Sequence, residues 1–161
     1  MNMSTVARLL AAATLTLAAA APLATFAADS EPAAKDKLSA ARALIADNKW
    51  VAAIDELKRV NDSGNADWNN LMGYSHRKAK TPDYAAAERY YTEALRIEPK
   101  HRGALEYSGE LYLMMGDLGK AEARLAALDK ACLLSCSEYA DLKKAIASFK
   151  ANGNRVVQTQ Q

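Results

Sequence analysis

The sequence predicts an all-α fold in which about three helix-turn-helix units stack in line, followed by a C-terminal capping helix. Three observations support this. Alanine is abundant, while glycine and proline number only 7 and 4 among 161 residues, a mix that favours helices over strands. Apolar residues recur at i, i+3, i+7 and i+10, as in Tyr84, Ala87, Tyr91 and Ala94, which is one stripe of a 3.6-residue helix. The same stripe returns 34 residues away on either side, the mark of a repeated supersecondary unit.

Composition places the chain among globular proteins, at 25% charged and 50% hydrophobic residues. A formal charge of +2 is too small to point to nucleic acid or an anionic membrane as partner. The first segment stands apart. Residues 1–27 carry one basic residue, Arg8, then an apolar run from Leu9 to Ala21, then small residues around Thr25, Phe26 and Ala27. That layout reads as a secretory signal peptide cleaved between Ala27 and Ala28, with a short linker over 28–33. A single arginine excludes a twin-arginine signal, and the lack of a nearby cysteine argues against a lipid-modified N-terminus. The run is too short to span a bilayer comfortably and no second run follows, so no stable membrane insertion is expected after cleavage. Bacterial export to the periplasm is the implied localisation.

Unit one is read over 34–67, unit two over 68–101 and unit three over 102–135. The second helix of each opens on a large apolar residue: Trp50, Tyr84 and Leu118. Three residues later comes Ala53, Ala87 or Ala121, then Leu57, Tyr91 or Leu125, then Val60, Ala94 or Leu128. The alanine column lets a neighbouring helix approach, and the larger residue a turn later fills the space beside it. Asn48-Lys49, Pro82-Asp83 and Gly116-Asp117 form the matching turns. The first helix of each unit lies in KDKLSAARALIADN, DWNNLMGYSHRKAK and RGALEYSGELYLMMG. Each carries a small residue near its middle, Ala41, Gly73 or Gly109, and the turn AKTPD of unit two is two residues longer than its counterparts. There Thr81 is expected to cap the next helix, with Pro82 in its first turn. Asp117 is the expected cap in unit three.

This pattern resembles the tetratricopeptide repeat family. Unit three carries the resemblance in Gly109, Tyr112, Gly116-Asp117 and Ala121; unit two carries it in Gly73, Tyr84, Ala87, Tyr91, Ala94 and Pro99. Unit one lacks the family's early tryptophan and is degenerate, Pro99 recurs in neither neighbour, and Leu118 replaces an aromatic. The resemblance implies an α-solenoid whose concave side, lined mainly by first helices, binds a peptide or partner segment. The positions it places there are Arg42 and Ile45 from unit one, Asn70, Tyr74 and Arg77 from unit two, and Glu106, Glu110, Leu113 and Met114 from unit three. Such a groove is basic toward its N-terminal end and acidic toward its C-terminal end. The family's carboxylate clamp would need Lys and Asn where this chain has Leu38 and Arg42, so that clamp is not expected.

Past Leu128 the phase breaks. Ser135 and Glu138 have capping-box spacing, so a capping helix is expected over 136–151. Tyr139, Leu142, Ile146 and Phe149 form its apolar stripe, Gly153 stops it, and Lys143, Lys144 and Lys150 give the polar outer face that ends a solenoid. The tail over 152–161 has no pattern and is expected to be disordered. Cys132 and Cys136 are the only cysteines, an even pair in an exported chain, and read as a disulfide. Closing so small a ring stabilises by about 2 kcal/mol.

A redox or copper-handling role for the pair is the alternative. Cys136 at a helix N-terminus would have its thiolate favoured by the helix dipole. The C-x3-C spacing, however, is not the C-x-x-C of thioredoxin-like proteins. Met114 and Met115 could assist a soft metal, but the run YLMMG reads as core packing. His76 and His101 have no second ligand at helical spacing and read as solvent-facing. No nucleophile elbow or phosphate loop occurs. No catalytic residue, metal or cofactor is therefore expected. The reading is a non-enzymatic adaptor for another protein, one of the cell envelope, with self-association through an unpaired end face as a further option.

Overall fold

The computed structural model describes residues 36–134 and 136–155. The expected signal peptide, the linker at 28–33, Ser135 of the capping box and the tail from residue 156 lie outside the described residues. Among the described residues there are seven helices and no strand: α1 (Ser39–Ala46), α2 (Trp50–Val60), α3 (Ala66–Lys78), α4 (Tyr84–Ile97), α5 (Arg102–Met114), α6 (Leu118–Ala131) and α7 (Ser137–Ala151).

The helices pair in chain order, α1 with α2, α3 with α4 and α5 with α6, and each second helix also lies against the next first helix. In addition α1, α3, α5 and α7 follow one another as neighbours, whereas the backbones of α2, α4 and α6 do not approach each other. A two-layer stack whose layers differ in spacing must curve toward the tighter one. The first helices and α7 thus form the concave layer, and the chain is an α-solenoid. The core accordingly runs in segments along the stack, each bridging neighbouring units: Leu38 to Met72, Ala87 to Leu111, and Leu105 to Phe149. Stability in such an array is approximately a sum of units and nearest-neighbour interfaces.

The 34-residue columns have a clear physical role. Trp50, Tyr84 and Leu118 are the first residues of α2, α4 and α6 and are all half-buried, while Ala53, Ala87 and Ala121 are each 0% exposed. Leu57 and Tyr91 are buried behind them, as are Ala94 and Leu128; Leu125 and Val60 are half-buried. Asn48 and Gly116 occupy the same column and both adopt positive φ, 58° and 81°. Each lets the helix before it end in a tight turn whose last carbonyls are satisfied, by Lys49 N–H to Leu44 and by Asp117 N–H to Tyr112. Unit two has Pro82 in that column, and proline cannot take positive φ. Its α3–α4 connection is the longer one, over 79–83.

One expected cap is corrected. Asp83, not Thr81, caps α4, its side chain accepting the Ala86 N–H at 2.8 Å, and Pro82 sits in the turn before the helix. Asp83 lies one repeat before Asp117, which caps α6 in the same way through the Lys120 N–H at 2.9 Å. A carboxylate at a helix start also complements the dipole, an advantage Thr81 lacks. The expected stop at Gly153 is observed, with φ 66°.

Two glycines mark where helices come closest. A Cβ on Gly73 would lie 2.8 Å from two ring carbons of Tyr91, and one on Gly109 would lie 2.5 Å from Leu142. Gly119 meets nothing closer than Asp117 at 3.7 Å. Gly73→Ala is therefore expected to destabilise by about 1–2 kcal/mol, overpacking against a rigid ring outweighing the helix-propensity gain. Gly119→Ala is expected to stabilise by roughly 0.5–1 kcal/mol. Urea unfolding of both variants checks the opposite signs.

Candidate functional site

The concave layer encloses a groove of about 630 Å³ running across α3, α5 and α7. Its α3 wall is built around Arg77. Tyr74 and Tyr107 meet tilted by 45° at 4.7 Å between centroids, Trp50 meets Tyr74 edge-on at 5.8 Å, and the Arg77 guanidinium lies 5.3 and 5.5 Å from the two tyrosine rings. The Arg77 side chain is only 3% exposed, and its Nη1 donates to Glu110 Oε2 at 2.6 Å. Burial works against the charge, but Tyr91 and Glu110 outweigh it, so the guanidinium stays above its ordinary pKa. Such a pair is held by geometry: without Glu110, Arg77 would be a buried charge with no counter-ion.

Glu106 faces the same groove in the opposite condition. It is 8% exposed and, among the described residues, makes no hydrogen bond or ion pair. Burial pushes its carboxyl up to about 7, with Glu110, Asp141 and Glu138 adding to the effect and Arg77 opposing it. Glu106 and Tyr107 also wall a second, shallower cavity of about 390 Å³ beside the α4–α5 turn. Asn70 lines that cavity; it is 7% exposed and its Oδ1 has no partner.

Of the positions predicted for the groove, the structure brings together Tyr74, Arg77, Glu106, Glu110, Leu113 and Met114. Asn70 lies in the adjoining cavity. Arg42 and Ile45 line neither: Arg42 sits on the surface, paired with Asp36 and with Asp67 at 3.0 Å, and Ile45 packs against the first core segment. The concave layer reaches its lining role only from α3 onward. Leu38, at the clamp position, is buried in the core.

The α7 contribution was missed. Asp141, Ala145, Ser148 and Phe149 line the groove, and Lys144 lines it too instead of the polar outer face expected of a cap. Each of the first four lies 35 residues after a groove residue of α5 (Glu106, Glu110, Leu113 and Met114), as Ser137 lies 35 after Arg102. α7 is thus the first helix of a half unit. Lys150 does face outward, bonding Glu122 at 2.6 Å, and Lys143 sits over the Tyr139 ring.

Three further expectations change. His101 is not solvent-facing: its side chain is 11% exposed, its Nδ1 accepts the Ala104 N–H as the α5 cap, and its Nε2 bonds Asp67 Oδ1 at 3.0 Å. An acceptor at Nδ1 assigns the proton to Nε2. Burial raises the Asp67 pKa, but the bonds from His101 and Arg42 outweigh it and lower the carboxyl overall. His76 is half-buried, stacked on Tyr90 at 5.5 Å, and burial lowers its pKa. Met114 and Met115 end α5 exposed, not in the core, because the helix stops there and the chain turns outward.

Cys132 and Cys136 are disulfide-bonded across the α6–α7 turn, with Cα atoms 5.9 Å apart. No group of three or more potential metal ligands forms among the described residues. No described helix is long and apolar enough to cross a membrane.

Because the native state holds the Glu106 proton more tightly than the unfolded chain does, this carboxyl contributes most to stability below its ordinary value of 4.5. That contribution is lost as pH rises through about 7. Glu106→Gln is expected to match the wild type near pH 4.5 and to exceed it at pH 8 by on the order of 1–2 kcal/mol, discounted for water at the groove mouth. Urea unfolding at both pH values reads this out.

Residues 82–146 match the family model described as Tetratricopeptide repeat. No curated protein matches the chain. The matched segment runs from the turn before α4 into α7, taking in Asp141 and Ala145 of the groove wall but ending before Ser148 and Phe149. The seven helices in register and that match agree: the described chain is an all-α helical repeat, and its segment 82–146 is similar to the tetratricopeptide repeat.

Proposed function

We propose that the protein is an exported, non-enzymatic adaptor that holds a segment of another cell-envelope protein in its concave groove. Repeats of this family generally mediate protein–protein interaction. The observation that supports the reading best is the continuity of the groove: α3, α5 and α7 each give it both apolar and charged side chains. Tyr74, Met114 and Ala145 offer surface for apolar anchors, while Lys78, Glu110, Asp141 and Lys144 set charge along the walls. Its volume of about 630 Å³ is in the range that encloses a few side chains of an extended segment. Electrostatic matching along such a wall selects the partner's register more than it adds affinity. The redox and copper alternative has no observation in its favour, since the two sulfurs are bonded to each other.

Ser148 is exposed and lines the groove, so Ser148→Trp fills it without disturbing the core. Thr92→Trp places the same bulk at an exposed position on α4, in the other layer. In cross-linking capture from a cell-envelope extract, the wild type and Thr92→Trp should retain a common partner and Ser148→Trp should lose at least about tenfold of it, a loss of roughly 1.4 kcal/mol. Equal recovery on Ser148→Trp overturns the groove reading. Export is tested separately: N-terminal sequencing of the secreted protein should begin at Ala28, and a chain still starting at Met1 overturns the proposed localisation.

A further inference from the structure

The geometry points to a basic side chain, a lysine or arginine of the bound segment, as the group received where the two cavities meet, between Glu106 and Asn70. This rests on the groove reading above and names the chemistry of its occupant.

One buried acceptor and one largely buried carboxyl that opens into both cavities stand at that junction without donors from the described residues. Glu106 walls both cavities and has neither a hydrogen bond nor an ion pair among the described residues, and the Asn70 Oδ1 is buried and unpartnered. Buried polar groups are nearly always bonded, so the orphaned Asn70 Oδ1 beside an unpaired carboxyl lining the same cavity marks a place where a donor arrives from outside. Gly103 and Glu106 lie one turn apart on the same face of α5, and Gly103 keeps the passage open: a Cβ there would stand 3.0 Å from Asn70 Nδ2.

The sign of the missing partner follows from the neighbouring charges. The nearby cations are already committed or lie on the rim. Arg77 is held by Glu110 at 2.6 Å, Arg102 by Glu138 at 3.6 Å, and His101 bonds Asp67 at 3.0 Å. Lys144, Lys100 and Arg155 are exposed, where water solvates them, and Lys78 lies over the Trp50 ring at 6.0 Å. The carboxylates Glu138 and Asp141 stand close enough to Glu106 to raise its pKa, so the local field is negative. An acidic side chain or a chain-terminal carboxylate would meet that field and two acceptors, and would be repelled. A lysine ammonium carries three donors and an arginine guanidinium five, with no acceptor to leave unsatisfied. Either would supply the counter-charge and the hydrogen bonds together.

The test uses the mature full-length protein, immobilised at pH 8 and panned against a random 12-residue peptide library. Enrichment of Lys or Arg at one position is expected. That preference should vanish when Glu106→Gln is panned. A synthetic copy of a selected peptide should bind Glu106→Gln at least about tenfold more weakly, and replacing its basic residue by alanine should weaken binding to the wild type but not further to Glu106→Gln. Peptides selected without a basic position, or with a basic preference that persists in Glu106→Gln, overturn this inference and leave the groove reading standing. A library that enriches nothing over Ser148→Trp overturns both.

Discussion

The whole architecture depends on one packing constraint: the fourth residue of α2, α4 and α6 must be small enough for a neighbouring helix to lie against its backbone. Ala53, Ala87 and Ala121 fill that place and none has any exposed surface. Interaxial distances in helix pairs follow the side chains at the contact, and a methyl group permits the near limit of about 8 Å. Gly73 and Gly109 extend the same logic to the first helices, but toward different neighbours. Gly73 admits Tyr91 from its own unit, whereas Gly109 admits Leu142 from α7. Close approach on the inner layer produces the curvature, and the curvature produces the groove.

Within that frame the Arg77 assembly ties consecutive units together. It joins α3 to α5 through the bond to Glu110 and through the two tyrosine rings, one from each helix. A buried ion pair is a poor source of net stability, because removing both charges from water costs about as much as their attraction returns. Its stronger effect is on register. Sliding α5 along α3 by one turn would separate Glu110 from a guanidinium that is only 3% exposed, so the arrangement with the pair intact is strongly preferred over its neighbours. The exposed pairs, Glu56 with Arg59 and Glu93 with Arg96, impose no such choice, since each lies within a single helix.

The repeat was legible because it is written in residue size, which sequence states directly. Columns of Ala, the Asn48 and Gly116 turns and the Tyr139–Phe149 stripe could all be read one residue at a time. What escaped depends on relations between distant residues. His101 reads as a surface histidine until Asp67, one repeat earlier, is placed against it. Thr81 looks like the cap beside Pro82 unless the 34-residue register is trusted over the local dipeptide. In sequence α7 reads as a terminal cap because the alanine column ends with α6. The register of the first helices nevertheless continues at a spacing of 35, and counting it forward from Glu106 reaches Asp141, Ala145 and the rest of the wall. Arg42 and Ile45 err in the other direction, since membership of a first helix does not by itself bring a side chain to the groove.

Arg77 and Glu106 illustrate how a folded groove can carry two kinds of buried charge. Arg77 is balanced by the fold itself, and its neighbours fix both its position and its protonation. Glu106 has similar burial but no counter-ion, and the surrounding carboxylates make its charged form harder still to maintain. If its role were only to pack, an apolar residue of similar volume would serve better, because it would remove the desolvation term without losing any bond. A carboxyl in this setting therefore lowers the stability of the empty groove at neutral pH. The same desolvation makes its attraction for an incoming cation stronger than that of any carboxylate on the exposed rim. The instability of the free state and the selectivity of the bound state thus arise from one feature, a negative charge that the chain leaves unanswered.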